Sequence, residues 1–182
     1  MTNVSKAIDL DLDRHARIDD LYTKMSLLLQ RHFGLRRKGS INIRPGLADR
    51  GDRLVIFPSW GKGKRGREIP IRNAEQRAVL DLVKKFAGNG SLIPKGMTYV
   101  QQLRRFETQC AKVGIHKVHG LRHHYAQDRY RELTGWECPA NGGPKSKELT
   151  PAQKEIDRAA RLTITHELGH GRLQVVAQYV GR

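Results

Sequence analysis

Near the C-terminal end of the sequence, His166-Glu167-Leu168-Gly169-His170 satisfies the His-Glu-x-x-His pattern of zinc peptidases. On a helix, that spacing places two imidazoles on one face as zinc ligands, with the glutamate beside them to deprotonate a metal-bound water. A catalytic zinc site also needs a third protein ligand and an open position. The elongated form of the pattern asks for glycine three residues past the second histidine and histidine three further on, where this chain has Leu173 and Val176. A downstream glutamate is the other common third ligand, and none of the twelve residues after His170 is acidic. Only upstream histidines (His116, His119, His123 or His124) are left to complete such a site.

A second constellation shares only His170 with the first. Cleaving a phosphodiester takes cations to hold the non-bridging oxygens, a nucleophile, and an acid for the departing oxygen. His119 and Arg122 stand at i and i+3 at the start of a predicted helix. They therefore share a face, and a helix N-terminus itself favours an anion. Leu168-Gly169-His170 is followed nine residues later by Tyr179, a hydroxyl nucleophile. A His-x-x-Arg pair alone is a common surface pattern, and Tyr179 alone reads as a core aromatic. Their order along the chain is the restrictive feature.

These residues must be carried by several short elements. Ile18, Leu21, Tyr22, Met25, Leu28 and Leu29 recur at helical spacing and predict a helix ending near Gly34. RLVIFPSW and REIPIR read as two strands joined by the glycine-rich, basic GKGKRG, a β-hairpin. Val79, Leu82, Val83 and Phe86 define a second helix, with Asn73 as its N-cap and Gly88 as its stop. Val100, Leu103, Phe106 and Cys110 define a third, and Leu121, Tyr125 and Leu133 a fourth that closes at Gly135. WECPANGGPKSKEL reads as an exposed loop. Thr150 and Pro151 open a last long helix running toward His166, and LQVVAQYVGR packs as the final element. The pattern predicts an α+β fold, mostly α-helical, with a small antiparallel β-hairpin packed on helices.

Composition narrows the partner. Thirty-four Lys and Arg against 18 Asp and Glu give a net charge of +16, which calls for a polyanion. The charge is placed, not spread: residues 31–72 hold twelve basic and three acidic residues, a local +9, whereas the first twenty residues carry −2. No amphipathic anchor points to an anionic membrane, no apolar run reaches the roughly 20 residues of a bilayer span, and the N-terminus lacks a signal peptide. A nucleic acid is the expected partner, and a cytoplasmic location follows. Cys110 and Cys138 have no metal-type spacing and read as structural thiols. Trp60 and Trp136 read as packing residues.

In this order of motifs the chain resembles the tyrosine recombinases, the phage-integrase family, over nearly all of its length. Gly34-Leu35-Arg36 resembles the family's first catalytic arginine motif, and Lys62 the hairpin lysine, eight residues before Pro70. His119 and Arg122 in HGLRHHYA fit the HxLRH motif, His170 the histidine of LGH, and Tyr179 the nucleophile. The resemblance implies a catalytic set of Arg36, Lys62, His119, Arg122, His170 and Tyr179, working through a 3′-phosphotyrosine link with no metal or cofactor. It also narrows the partner to double-stranded DNA and the location to the nucleoid. Arg37, beside Arg36, offers the same clamp chemistry; it, Lys64, Arg65 and Arg67 are expected DNA contacts. His123, His124 and His166 are expected to be structural or DNA-facing.

Two departures stand out. The family carries an acid three positions after the first arginine, where this chain has Gly39. The resemblance also implies that residues 1–17 are a tail or linker remnant, that 18–182 form the catalytic domain, and that the family's N-terminal core-binding domain is absent. A tetramer on DNA is expected of a full-length protein, and a monomer or weak oligomer of this chain.

Overall fold

The computed structural model describes residues 3–63 and 65–182. Several helices and one hairpin position the site. Helix α1 (Leu12–Ala16) precedes α2 (Leu21–Phe33), which starts where the Asp20 carboxylate accepts from the Thr23 amide at 3.0 Å. It stops where Gly34 turns left-handed at φ 63°. Two short helices follow, α3 (Arg37–Asn42) and α4 (Pro45–Ala48). The hairpin is β1 (Arg53–Ile56) and β2 (Arg67–Pro70), antiparallel, with Leu54 opposite Ile69 and Ile56 opposite Arg67. Strand alternation therefore turns Leu54, Ile56, Ile69 and Arg67 to the inner face.

The long helices follow the periodicities of the sequence. α5 (Ala74–Ala87) is capped by Asn73, and α6 (Tyr99–Lys112) by a Thr98–Gln101 capping box. α7 (His119–Thr134) ends at Gly135 in the left-handed region, and α8 (Pro151–Glu167) opens with a Thr150–Gln153 capping box. A 3-10 turn, Leu173–Val176, leads into α9 (Ala177–Val180), the last turn of helix.

Two hydrophobic clusters hold these elements. The larger joins Leu29 and Phe33 of α2, Leu54, Ile56 and Ile69 of the hairpin, Leu80 of α5, Tyr125 and Tyr130 of α7, Ile164 of α8 and Tyr179 of α9. The smaller gathers Leu27, Ile41, Phe106, Cys110, Ile115 and Leu121 beneath α6. Residues 3–17, expected as a tail ahead of the domain, lie against it. Leu10 is buried in the smaller cluster, and the Ile8 amide donates to the Gly120 carbonyl at 3.1 Å. The Pro- and Gly-rich stretch read as an exposed loop is also partly interior, since Cys138 and Ala140 join the larger cluster against α9. Among the described residues no helix is long and apolar enough to cross a membrane.

Candidate active site

The zinc spacing fails on geometry. α8 ends at Glu167, and Gly169, at φ 68°, turns the chain away, so His170 lies beyond the helix on which His166 sits exposed. The two imidazoles do not share a helix face, and among the described residues no third His, Cys, Asp or Glu joins them. Glu167 has another task. Buried to 3% exposure, it accepts from the Tyr125 hydroxyl at 2.7 Å and from Arg129 Nη2 at 2.9 Å. Arg72, at the end of the hairpin, donates to the same Tyr125 hydroxyl at 3.1 Å. This chain of polar contacts fastens the end of α8 to α7 and to the hairpin.

Around that anchor the second constellation assembles. Arg122 is 1% exposed and spends its guanidinium on three chain segments: Nη1 donates to the Gly34 carbonyl at 2.6 Å, Nη2 to the Leu168 carbonyl, and Nε to the Tyr179 hydroxyl at 3.2 Å. Nη2 also lies 3.4 Å from His170 Nε2. Arginine only donates, so Nε2 is the acceptor there and Nδ1 carries the proton. The glycine turns make these approaches possible. A Cβ on Gly34 would sit 2.6 Å from Tyr125 Cδ1, and one on Gly169 would sit 2.9 Å from Arg67 Cδ, both in left-handed backbone that side chains resist.

Tyr179 is 4% exposed and ringed by imidazoles, with ring centroids 4.5 Å from His123, 5.4 Å from His170 and 5.9 Å from His119. Its carbonyl accepts from Gln127 Nε2 at 2.9 Å, and Gln127 is held in turn by the Ser5 hydroxyl at 3.1 Å. The contacts of His123 and Gln127 carry no motif of their own in the sequence. Their signal is position: they fall one and two turns along α7 from His119, on the side that faces α9.

Beside this centre opens a cleft of about 460 Å³ lined by Arg36, Arg37, Lys38, Lys62, Lys117 and His119. Lys117 is the one non-glycine described residue in left-handed backbone, at φ 54°. The neighbouring arginines differ in setting: Arg37 is exposed and pairs with Glu107 of α6 at 2.9 Å, whereas Arg36 is close enough to Arg122, Arg67, His119 and His170 to shift their titration. Lys62 is exposed on the hairpin loop and faces the cleft, and Arg65 lies over Gly171, where a Cβ would meet Nη1 at 2.6 Å. Lys64 falls outside the described residues. His124 pairs with Asp128 at 3.0 Å and has no contact with the centre.

The electrostatics follow from burial among like charges. Burial first, then Arg122, Arg36 and Arg67, push His170 down to about 4. Burial, His119, Lys6 and Arg122 do the same to His123, also to about 4. His119, His15 and His32 are lowered chiefly by burial as well. These imidazoles are neutral in the fold at neutral pH. In the unfolded chain they titrate near 6.5, so below that pH the unfolded state binds more protons and stability falls, progressively, down to about pH 4. At constant ionic strength, the melting temperature at about pH 5 is expected several degrees below that at about pH 7.5. A melting temperature that is flat across this interval counts against buried neutral imidazoles.

The cleft is lined by five Arg and Lys side chains and no carboxylate among the described residues, and it shares His119 with the cluster of Arg122 and imidazoles around Tyr179. The chain belongs to the integrase family: residues 4–128 match the family model described as Integrase. That stretch contains Arg36, Lys62, His119 and Arg122 and ends before His170 and Tyr179. The fold is that of a tyrosine-recombinase catalytic domain, as the order of motifs implies. The chain is similar to the XerH site-specific recombinase in its post-cleavage complex with palindromic difH substrate, at a TM-score of 0.56 and 15% identity over 98% of this chain and 50% of that one. It is similar to the pre-cleavage complex of the same recombinase with difH substrate at a TM-score of 0.53 and 16% identity, over 98% and 52%. The chain thus spans about half the length of those recombinases. No curated protein sequence matches it.

Proposed function

We propose that this chain cleaves and rejoins DNA strands as the catalytic domain of a site-specific tyrosine recombinase, serving integration or excision of a mobile element. The observation that carries the reading is the Arg122–Tyr179 contact at 3.2 Å, inside a group of cations whose nearest carboxylates are spent on other arginines. Tyr179 attacks the scissile phosphorus, and its oxygen forms a 3′-phosphotyrosine bond as the bond to the 5′-oxygen breaks. His119, neutral at physiological pH, takes the tyrosine proton, and Lys62 on the hairpin gives a proton to the departing 5′-hydroxyl. Arg36 and Arg122 hold the non-bridging oxygens as charge builds, and His170 donates from Nδ1. Attack by the 5′-hydroxyl of a second strand reverses the step with no external energy source. Arg37, Lys64 and Arg65 hold the flanking backbone. With the rest of a full-length protein present, the domain acts within a tetramer on DNA in the cytoplasm, at the nucleoid.

A nicked DNA site, from which the cleaved fragment diffuses away, tests the chemistry. A covalent protein–DNA complex that survives denaturant and forms equally well in chelator is the expected result; free protein and intact DNA would overturn the reading. One observation favours a second reading, a DNA-holding domain that does not cut. Gly39 stands where the family has an acid, and the Arg36 side chain makes no hydrogen bond or ion pair among the described residues. Gly39 is buried, and a Cβ there would meet the Trp60 carbonyl oxygen at an ordinary contact of 4.0 Å. If the missing acid is what limits cutting, Gly39→Glu restores the covalent complex; if it binds DNA without cutting, the second reading stands.

A further inference from the structure

The arginines partly or fully withdrawn into this fold mostly have acceptors, and the side chains of Arg36 and Arg67 are the exceptions. Arg129 pairs with Glu167, Arg161 with Asp157, Arg72 with Glu132 and Arg77 with Asp49, and Arg122 is held by two carbonyls and a hydroxyl. Arg67 has none. Among the described residues its side chain makes no hydrogen bond and no ion pair, and its Nε is buried without a partner. Strand alternation puts it on the inner face of β2 with Ile69, where an apolar side chain would be expected.

Its position is specific. The side chain lies against Gly169, where a Cβ would come 2.9 Å from Cδ and 3.2 Å from Nη1. Gly169 sits between Leu168, whose carbonyl takes Arg122, and His170, which faces Tyr179. Arg67 and Arg122 therefore flank the same turn from two sides. Burial first, then Arg122 and Arg36, lower Arg67 to about 9, so it remains a cation at neutral pH while held beside two others. Arg67 is half-buried, with its Nε shut away from water and without a partner, so the guanidinium is left with a donor that an incoming anion can take up.

The geometry points to Arg67 as a third guanidinium on the reacting phosphate, a catalytic residue in its own right and not one of the hairpin's backbone contacts. This rests on the strand-transfer reading for its substrate but not for its anion. The trigonal-bipyramidal transition state concentrates negative charge on the non-bridging oxygens. Arg36, Arg67 and Arg122 approach that charge from α3, from β2 and from α7. Arg67 also supplies a donor on the hairpin side, where Arg36 lacks a supporting carboxylate.

Arg67→Met tests this, because methionine keeps an unbranched stem against Gly169 and removes only the charged fork. Inorganic phosphate binding, measured by calorimetry at low ionic strength, is expected to weaken at least ~10-fold, and the rate of covalent complex formation on nicked DNA to fall on the order of 10²-fold. The melting temperature of the variant in phosphate-free buffer is expected to equal or exceed that of the parent, since a half-buried charge with no partner has been removed. A residue that merely packs, or that guards the edge of the hairpin with an inward charge, would lower it and leave phosphate affinity unchanged. Should the methionine variant not fold, Arg67→Lys, which keeps the charge without the two-donor fork, is expected to lose roughly 3-fold or more in phosphate affinity. A parent that binds no phosphate, or a variant whose affinity is unchanged, overturns the assignment. A parent that binds phosphate through Arg67 yet never yields a covalent DNA complex supports the site and refutes the strand-transfer reading.

Discussion

Tyr179→Phe is expected to yield no covalent protein–DNA complex on a nicked site, while DNA affinity changes less than about 3-fold. The substitution removes one oxygen. Ring contacts with His123 and His170 stay, and so does the backbone contact with Gln127. What is lost in the folded protein is one hydrogen bond from Arg122, worth about 1 kcal/mol. The effect on chemistry is far larger, because the proposed intermediate has no other oxygen to form on. Loss of a nucleophile costs on the order of 10⁴-fold or more. Trapping on nicked DNA followed by denaturing electrophoresis reads the difference. A complex of undiminished yield in the phenylalanine variant would move the nucleophile elsewhere.

Arg122→Lys has the second largest expected effect, and it acts on stability and chemistry together. Three acceptors lie around one planar guanidinium: the Gly34 carbonyl, the Leu168 carbonyl and the Tyr179 hydroxyl. An ammonium on a shorter reach cannot meet all three, so at least one buried acceptor loses its partner, at about 1–3 kcal/mol. For a chain of this size that corresponds to a melting temperature lower by roughly 2–12 °C. The lost two-donor grip on phosphate slows covalent complex formation by a further ~10²–10³-fold. Differential scanning calorimetry and single-turnover trapping measure the two parts separately. An unchanged melting temperature would mean that the contacts to Gly34 and Leu168 carry little of the fold.

Much of the scaffold was legible because local signals agreed with one another. Asn73, Thr98 and Thr150 are capping residues by chemistry, and each does begin a helix; Gly34 and Gly135 end theirs in left-handed backbone. The two short helices around Gly39 and Pro45 were not legible, since four to six residues make too little periodicity to read. Nor was the packing of residues 3–17, whose single buried leucine and histidine give no repeating stripe. The site was legible as a set of residue types in order, but not as contacts. Glu167 looked like a spare letter in a zinc pattern because nothing local shows that Arg129 and Tyr125 converge on it. Arg67 looked like one of several hairpin cations because the turn it rests against comes about a hundred residues later.

The reach of Arg122 has a kinetic consequence. Its partners lie 88, 46 and 57 residues away along the chain, on both sides of it. Closing loops of that length is paid in entropy before any contact repays it, so pairings of this kind form late relative to the helices that carry them. A chain with α2, α5 and α7 already wound but α9 not yet docked would hold its cations apart and its tyrosine free in solvent. Such a species could cling to DNA through scattered charge but would have no assembled means of breaking it. On the proposed strand-transfer function, competence to cut is thereby tied to completion of the fold, which limits stray nicking by nascent or partly unfolded copies.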